Sequence, residues 1–145
     1  MLVAAASFRV WQQSQTAHPP IHGTAVVTHI VDGDTIDVSG YGRIRLIGMD
    51  TPERGRPGFA EATERTRALC GGQTVQVEVC PVRSTDRYGR TRALIYLPDG
   101  TMLNTRLIEE GWAVVYTVMP CHIDSAQWLP LERQAREAHR GLWRE

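Results

Sequence analysis

Lysine is absent from this 145-residue chain, and all sixteen of its cations are arginine. Sixteen carboxylates balance them to a formal net charge of zero, and the stretches before and after Gly72 are each balanced too. That balance excludes a strongly basic nucleic-acid coat and a polybasic membrane segment. No apolar run approaches the ~18–20 residues needed to cross a bilayer, so no membrane-spanning helix is encoded. The three cysteines have no C-x-x-C spacing, and His18, His22, His29, His122 and His139 are scattered, so no Cys/His metal set is visible and no histidine is given a catalytic role. Aromatic residues make up only 7% of the chain, but 42% is hydrophobic, enough for a core without an obligatory staple. Disordered, collagen-like and coiled-coil readings are excluded, and the length suits one domain.

Genomic codon bias is the bland explanation for an all-arginine chain. Even so, Arg43 to Arg92 holds ten arginines against six carboxylates, a local excess on a neutral molecule. Such a site suits a pocket that grips one phosphate with planar, bidentate guanidiniums. At the start of the chain, Met1–Phe8 is a short apolar run with no basic residue ahead of Arg9, and Gln12–Pro20 is polar and proline-ended. Residues 1–20 therefore read as an extension, either a clipped or degenerate secretion signal or a poorly ordered linker, with the folded domain over 21–145.

Gly23–Val31 is rich in Val, Ile and Thr and predicts a strand, broken by Asp32-Gly33 and resumed over Thr35–Val38. Ser39–Gly42 is turn chemistry. In Arg43–Leu46, Ile44 and Leu46 alternate with Arg43 and Arg45, which share the opposite face. Ala60–Cys70 predicts a helix ended by Gly71-Gly72, with Cys70 a small buried hydrophobe. Further strands are expected over Gln73–Val79 and Arg92–Leu97, a short helix ending at Gly111, and a last helix over Leu131–His139. Trp112, Trp128 and Trp143 read as core or helix-docking residues. This order of strands and helices is that of an α+β protein built on a five-stranded OB-fold Greek-key barrel with about three helices.

Three blocks carry chemistry. Asp32 and Asp34, two apart on extended chain, point the same way, and Asp50 and Glu53 follow the third strand. Oxygen-rich clusters of this kind suit hard divalent cations such as calcium. Singly, each block has an ordinary explanation: Asp-Gly and Thr-Pro steps are turn chemistry, and Asp86–Arg90 by itself suits a solvated hairpin tip. Together, V-D-G-D-T at Val31–Thr35, R-L-I-G-M-D-T-P-E at Arg45–Glu53 and D-R-Y-G-R at Asp86–Arg90 resemble the staphylococcal-nuclease-like (thermonuclease) family. The similarity runs from about Gly23 to Trp143.

The resemblance implies a calcium-dependent nuclease that hydrolyses DNA and RNA with little sequence preference and leaves 3′-phosphate ends. It makes Asp34, Asp50 and the backbone carbonyl of Thr51 the Ca²⁺ ligands, with Asp32 a carboxylate just behind them. Glu53 matches the residue that orients or deprotonates the attacking water. Arg45 and Arg90 match the scissile-phosphate arginines, and Arg87 and Tyr88 match positions on a neighbouring phosphate. The family's tyrosine pair is represented here by Tyr116 alone, since Thr117, Val118 and Met119 follow it. Tyr116 is either a substrate-lining residue or a strand-end tyrosine packing the barrel. In the implied fold the segments of Cys80 and Cys121 lie side by side. That suggests a disulfide closing a loop of about 40 residues, worth roughly 3–4 kcal/mol. A bond there points to a secreted or periplasmic protein, and two free thiols to a cytoplasmic one. The expected partners are DNA and RNA but no membrane, with a monomer as the acting form. The competing class is a non-catalytic oligonucleotide-binding or interaction module on the same barrel.

Overall fold

The structure is a computed structural model that describes residues 22–117 and 120–144; the extension expected over residues 1–20 lies outside them. Three strands come first: β1 (His22–Asp32), β2 (Thr35–Val38) and β3 (Gly42–Leu46). A two-residue strand β4 (Met49–Asp50) precedes helix α1 (Phe59–Cys70), which is followed by β5 (Thr74–Val79) and β6 (Thr91–Tyr96). Helix α2 (Leu103–Glu109), strand β7 (Val114–Val115) and helix α3 (Leu129–Glu137) complete the order.

The five longer strands close into a barrel in the order β1-β2-β3-β6-β5. Closure depends on β1, whose first half pairs with β5 (His22 opposite Glu78) and whose second half pairs with β2 (Val27 opposite Val38). Register shifts between Val27 and His29 and between Ile30 and Asp32 bend the strand where it changes partners. The alternation read in the third strand holds: Ile44 and Leu46 are wholly buried, while Arg43 pairs with Asp37 on the neighbouring strand at 2.9 Å. Ile36, Ile44, Leu46 and Ile95 fill the barrel at 0% exposure, each worth about 1.5–3 kcal/mol over an exposed position.

Helix α1 lays Ala62, Thr66 and Cys70 against the barrel, so Cys70 is the buried thiol its place in the helix predicts. Helix α2 inserts Asn104, whose Oδ1 accepts from the Ile95 N–H at 3.1 Å while Nδ2 donates to the carbonyl of Ile47 at 2.9 Å. One buried amide thus fixes the helix to β6 and to the turn after β3.

Two features depart from the sequence reading. The last helix runs two residues earlier at each end than Leu131–His139. Asp124 caps a 3-10 turn over Ser125–Trp128 by accepting from the Ala126 N–H at 3.0 Å, and Pro130 starts the helix behind it. At the other end His139 adopts φ 54, which cannot continue a right-handed helix. The second departure is the β4–β7 ribbon, Met49 opposite Val115 and Asp50 opposite Val114, which is too short to leave a periodic signal. Trp128 is 7% exposed and packs on Gly48, where any Cβ would lie 2.3 Å from its ring. Trp112 and Trp143 are half-buried. The Cys80–Cys121 disulfide is present, with Cα atoms 5.8 Å apart.

Candidate active site

The ends of β1, β3 and β4 and the loop between β5 and β6 surround a cleft of about 900 Å³, lined by five carboxylates and five arginines. The carboxylate wall is organised by Asp34, 6% exposed. Its own N–H donates to Asp32 Oδ1 at 3.1 Å, Oδ1 accepts from the Thr35 hydroxyl at 3.0 Å, and Oδ2 accepts from the Thr51 N–H at 3.1 Å. Gly33 makes that last bond possible, because a Cβ there would lie 2.6 Å from Thr51 Oγ1. The Asp-Gly-Asp step is thus a turn and a close approach at once. Thr51 is buried at 4% exposure with its main chain against Asp34.

Charge crowding marks this wall. Burial, then the charge of Asp34, pushes Asp32 up to about 6, and burial with the same neighbour pushes Asp50 up to about 6. Burial also works against ionised Asp34, but the Arg45 guanidinium, Asp32 and the Thr51 N–H hold its carboxyl below the ordinary range. Arg45 bridges the pair: Nη2 lies 3.1 Å from Asp50 Oδ1 and 3.5 Å from Asp34 Oδ2. Its Nη1 donates to the carbonyls of Leu46 at 2.6 Å and Met49 at 2.9 Å, which locks the side chain across the β3–β4 turn. Glu53 lines the cleft from the segment after β4, exposed and facing Asp50.

Across the cleft, Asp86 shapes the D-R-Y-G-R loop by accepting the N–H of both Tyr88 (2.9 Å) and Arg90 (3.0 Å). Arg90 Nε donates to the other oxygen of Asp86 at 2.7 Å, and Nη1 reaches Thr35 Oγ1 at 3.5 Å. Thr35 therefore stands between Asp34 and Arg90. Arg87 donates to the Tyr88 hydroxyl at 2.7 Å, and the Tyr88 ring, 67% exposed, lies beneath the guanidiniums of both Arg87 and Arg90. Tyr116, 44% exposed, lines the same cleft just beyond β7. Residues 118 and 119, which follow Tyr116 where the resemblance implies a second tyrosine nearby, lie outside the described residues.

The structure thus gathers Asp32, Asp34, Arg45, Asp50, Glu53, Arg87, Tyr88, Arg90 and Tyr116 around one cleft, with Thr51 packed behind the carboxylates. Four further residues have parts that the sequence reading did not assign: Asp86 and Thr35 as organisers, and Arg83 and Arg92 on the lining. The spacing of Asp86 two and four residues ahead of the N–H groups it accepts is the one signal that could have found it. Among the described residues the one group of three or more His, Cys, Asp or Glu side chains with all ligand atoms within 4.8 Å of one another is Cys80, Cys121 and His122. Its two sulfurs are bonded to each other, so they offer no thiolates.

Comparison with known proteins agrees with this arrangement. Residues 43–145 match the family described as staphylococcal nuclease homologue. An uncharacterized endonuclease of Escherichia coli O157:H7 is 36% identical over 127 residues, covering 85% of this chain and 77% of the relative. A micrococcal nuclease of Shigella flexneri is 36% identical over 130 residues, 81% of this chain and 71% of its own. A thermonuclease of Staphylococcus hyicus is 32% identical over 129 residues, 83% and 75% respectively. With these matches over most of its length and a five-stranded barrel beneath the cleft, the chain belongs to the staphylococcal nuclease family and is a nuclease.

Proposed function

We propose that the cleft hydrolyses phosphodiester bonds of DNA and RNA in a calcium-dependent reaction with little sequence preference, breaking the bond to the 5′ oxygen and leaving 3′-phosphate ends. The observation that carries this reading is the placing of Arg45 between Asp34 and Asp50, with Arg90 held opposite and Glu53 open to the cleft. The donor set on the carboxylate wall is oxygen only, and three crowded carboxyls, two of them raised to about 6, are the environment a hard divalent cation relieves. Asp34, Asp50 and the Thr51 carbonyl would hold the ion, with Asp32 beside them. Calcium bound there supplies charge stabilisation at the phosphate and lowers the proton affinity of water.

The chain's own groups do the rest. Arg45 and Arg90, on separate elements, donate to the phosphoryl oxygens from two sides as negative charge builds during attack. Glu53 aligns the water and accepts its proton. Arg87, Tyr88 and Tyr116 hold the adjoining phosphate and base face. Guanidiniums and phenols meet backbone and ring faces rather than base edges, hence the weak sequence preference. Five carboxylates against five arginines leave the lining neutral, so a divalent ion tips it toward an anionic substrate. Every one of these residues comes from a single chain, which supports action as a monomer. The disulfide supports an exported, periplasmic or secreted, protein.

The test is digestion of single-stranded DNA, duplex plasmid and RNA with calcium, followed by end-group analysis. Fragments with 3′-phosphate and 5′-hydroxyl ends from all three support the reading. Ends of the opposite polarity, or oligonucleotide binding with no cleavage, contradict it.

A further inference from the structure

Cys80, Cys121 and His122 are gathered by more than the disulfide. Each offers a ligand atom, and these atoms all lie within 4.8 Å of one another. His122 Nδ1 stands 3.0 Å from Cys121 Sγ, and its Nε2 stands 3.4 Å from Glu78 Oε1. Glu78 is held in turn, its Oε2 accepting from the Tyr96 hydroxyl at 2.9 Å. His22 approaches the same Glu78 oxygen as His122 only to 4.0 Å. Cys80 is wholly buried, and Arg92 Nη1 lies 3.7 Å from its sulfur. Glu78, Cys80, Cys121 and His122 all stand off the lining of the cleft.

This grouping has the chemistry of a zinc site once the sulfurs are parted. Zinc takes thiolate sulfur at about 2.3 Å and imidazole nitrogen at about 2.0–2.1 Å, tetrahedrally, so its ligand atoms stand roughly 3.5–3.8 Å apart. With the Cα atoms 5.8 Å apart, rotation of the two cysteine side chains about Cα–Cβ separates the sulfurs to that distance. A metal-binding histidine turns its far nitrogen to a carboxylate that fixes tautomer and ring, and Glu78 stands in that place. With Nε2–H toward Glu78, Nδ1 carries the lone pair that faces the sulfur. The Arg92 guanidinium favours thiolate over thiol at Cys80. Two thiolates cancel the charge of one divalent ion, so the loaded centre adds no net charge beside Arg92. A disulfide by itself needs neither the histidine nor the carboxylate behind it.

We propose that in the reduced chain Cys80, Cys121 and His122 bind one zinc ion, with water as the fourth ligand and Glu78 behind His122. The metal then ties together the same two segments that the disulfide ties in the oxidised chain. Two electrons from a thiol or phosphine reductant and two protons from solvent break the S–S bond and give two thiols. The reductant ends as its own disulfide, or as a phosphine oxide whose oxygen comes from water. Zinc displaces both thiol protons to solvent as two Zn–S bonds and one Zn–N bond form.

The test reduces the native chain with a phosphine, removes the phosphine without air, and titrates cobalt(II) as an optical stand-in for zinc. One equivalent should develop a thiolate-to-cobalt charge-transfer band and four-coordinate visible bands, and zinc should bleach both. The oxidised chain should show no thiolate band, and cobalt held by the carboxylates of the cleft gives none. His122→Ala should weaken zinc binding at least roughly tenfold, and Glu78→Gln by roughly 10–100-fold. Zinc should also raise the unfolding temperature of the reduced chain more than that of the oxidised chain.

A folded, reduced chain without a thiolate band overturns the proposal. So does an unchanged zinc affinity in His122→Ala, which would leave a plain dithiol. If reduction unfolds the chain, circular dichroism decides: zinc that restores the native spectrum supports the site, and zinc that restores nothing overturns it. None of these readouts depends on cleavage, so a failure of the nuclease reading leaves them in force.

Discussion

Asp86 grips Arg90 twice, taking its backbone N–H at 3.0 Å on one oxygen and its Nε at 2.7 Å on the other. The terminal nitrogens of Arg90 stay on the cleft side, one of them near Thr35 Oγ1 at 3.5 Å. Burial works against the Asp86 charge, but the N–H groups of Arg90 and Tyr88 and the Arg90 guanidinium hold its carboxyl below the ordinary range. The carboxylate is therefore charged at neutral pH and steers the arginine.

Asp86→Ala should lower kcat by roughly 10–100-fold through misplacement of Arg90. Asp86→Asn keeps one oxygen acceptor and should lose less. Steady-state kinetics on one oligonucleotide checks the order; equal rates for native chain and Asp86→Ala would remove the steering role.

Asp50 makes a pH prediction. Its folded-state value of about 6 lies above the ordinary 3.8, so the fold favours its protonated form. Its contribution to stability is present below 3.8, is lost as pH rises through 6, and leaves a penalty above that. Asp50→Asn removes the penalty. In chelator the variant should be more stable than the native chain at pH 7.5 by on the order of 1 kcal/mol, a figure discounted for partial exposure, with the gap closing toward pH 4. Urea unfolding at the two pH values measures it, and a gap independent of pH would show that Asp50 is not strained by its neighbours.

Asn104 separates stability from chemistry. Its amide satisfies the Ile95 N–H and the carbonyls of Ile47 and Ala93 at 0% exposure. Asn104→Ala strands the Ile95 N–H and the Ile47 carbonyl, while the Ala93 carbonyl keeps the Ile47 N–H at 3.1 Å, and should cost about 2–3 kcal/mol. Activity per folded molecule should stay unchanged at a temperature where the variant is folded. Denaturant unfolding alongside kinetics tests both halves.

Much of this was legible because local physics decided it. Ile44 and Leu46 alternate with Arg43 and Arg45, and the barrel obeys that alternation. Asp34, Arg45, Asp50 and Glu53 lie within twenty residues of one another, and the two turns that flank β3 bring them to one cleft. What the sequence hid is non-local or too short to be periodic. The β4–β7 ribbon is two residues a side. The 3-10 turn before α3 depends on Asp124 capping it and on Trp128 settling over Gly48. Arg92 opens a predicted strand with no local sign of its burial, which follows from the packing of Pro120 and Cys121 against the loop after β5.

The disulfide has its own consequence. It spans a sequence separation of 41, so replacing both Cys80 and Cys121 with Ser should destabilise the fold by roughly 3–4 kcal/mol. Thiol titration of the native chain should find no accessible thiol and, on unfolding without reductant, the one from Cys70. Three thiols in the unfolded protein would mean that the bond does not form.

The most direct test of the catalytic account is Glu53→Gln, assayed beside the native chain on single-stranded and plasmid DNA with calcium and with chelator. The account predicts calcium-dependent cleavage that chelator abolishes. It also predicts a kcat at least roughly 100-fold lower in Glu53→Gln with oligonucleotide affinity retained. Cleavage that persists in chelator, or a Glu53→Gln variant as fast as the native chain, would contradict it.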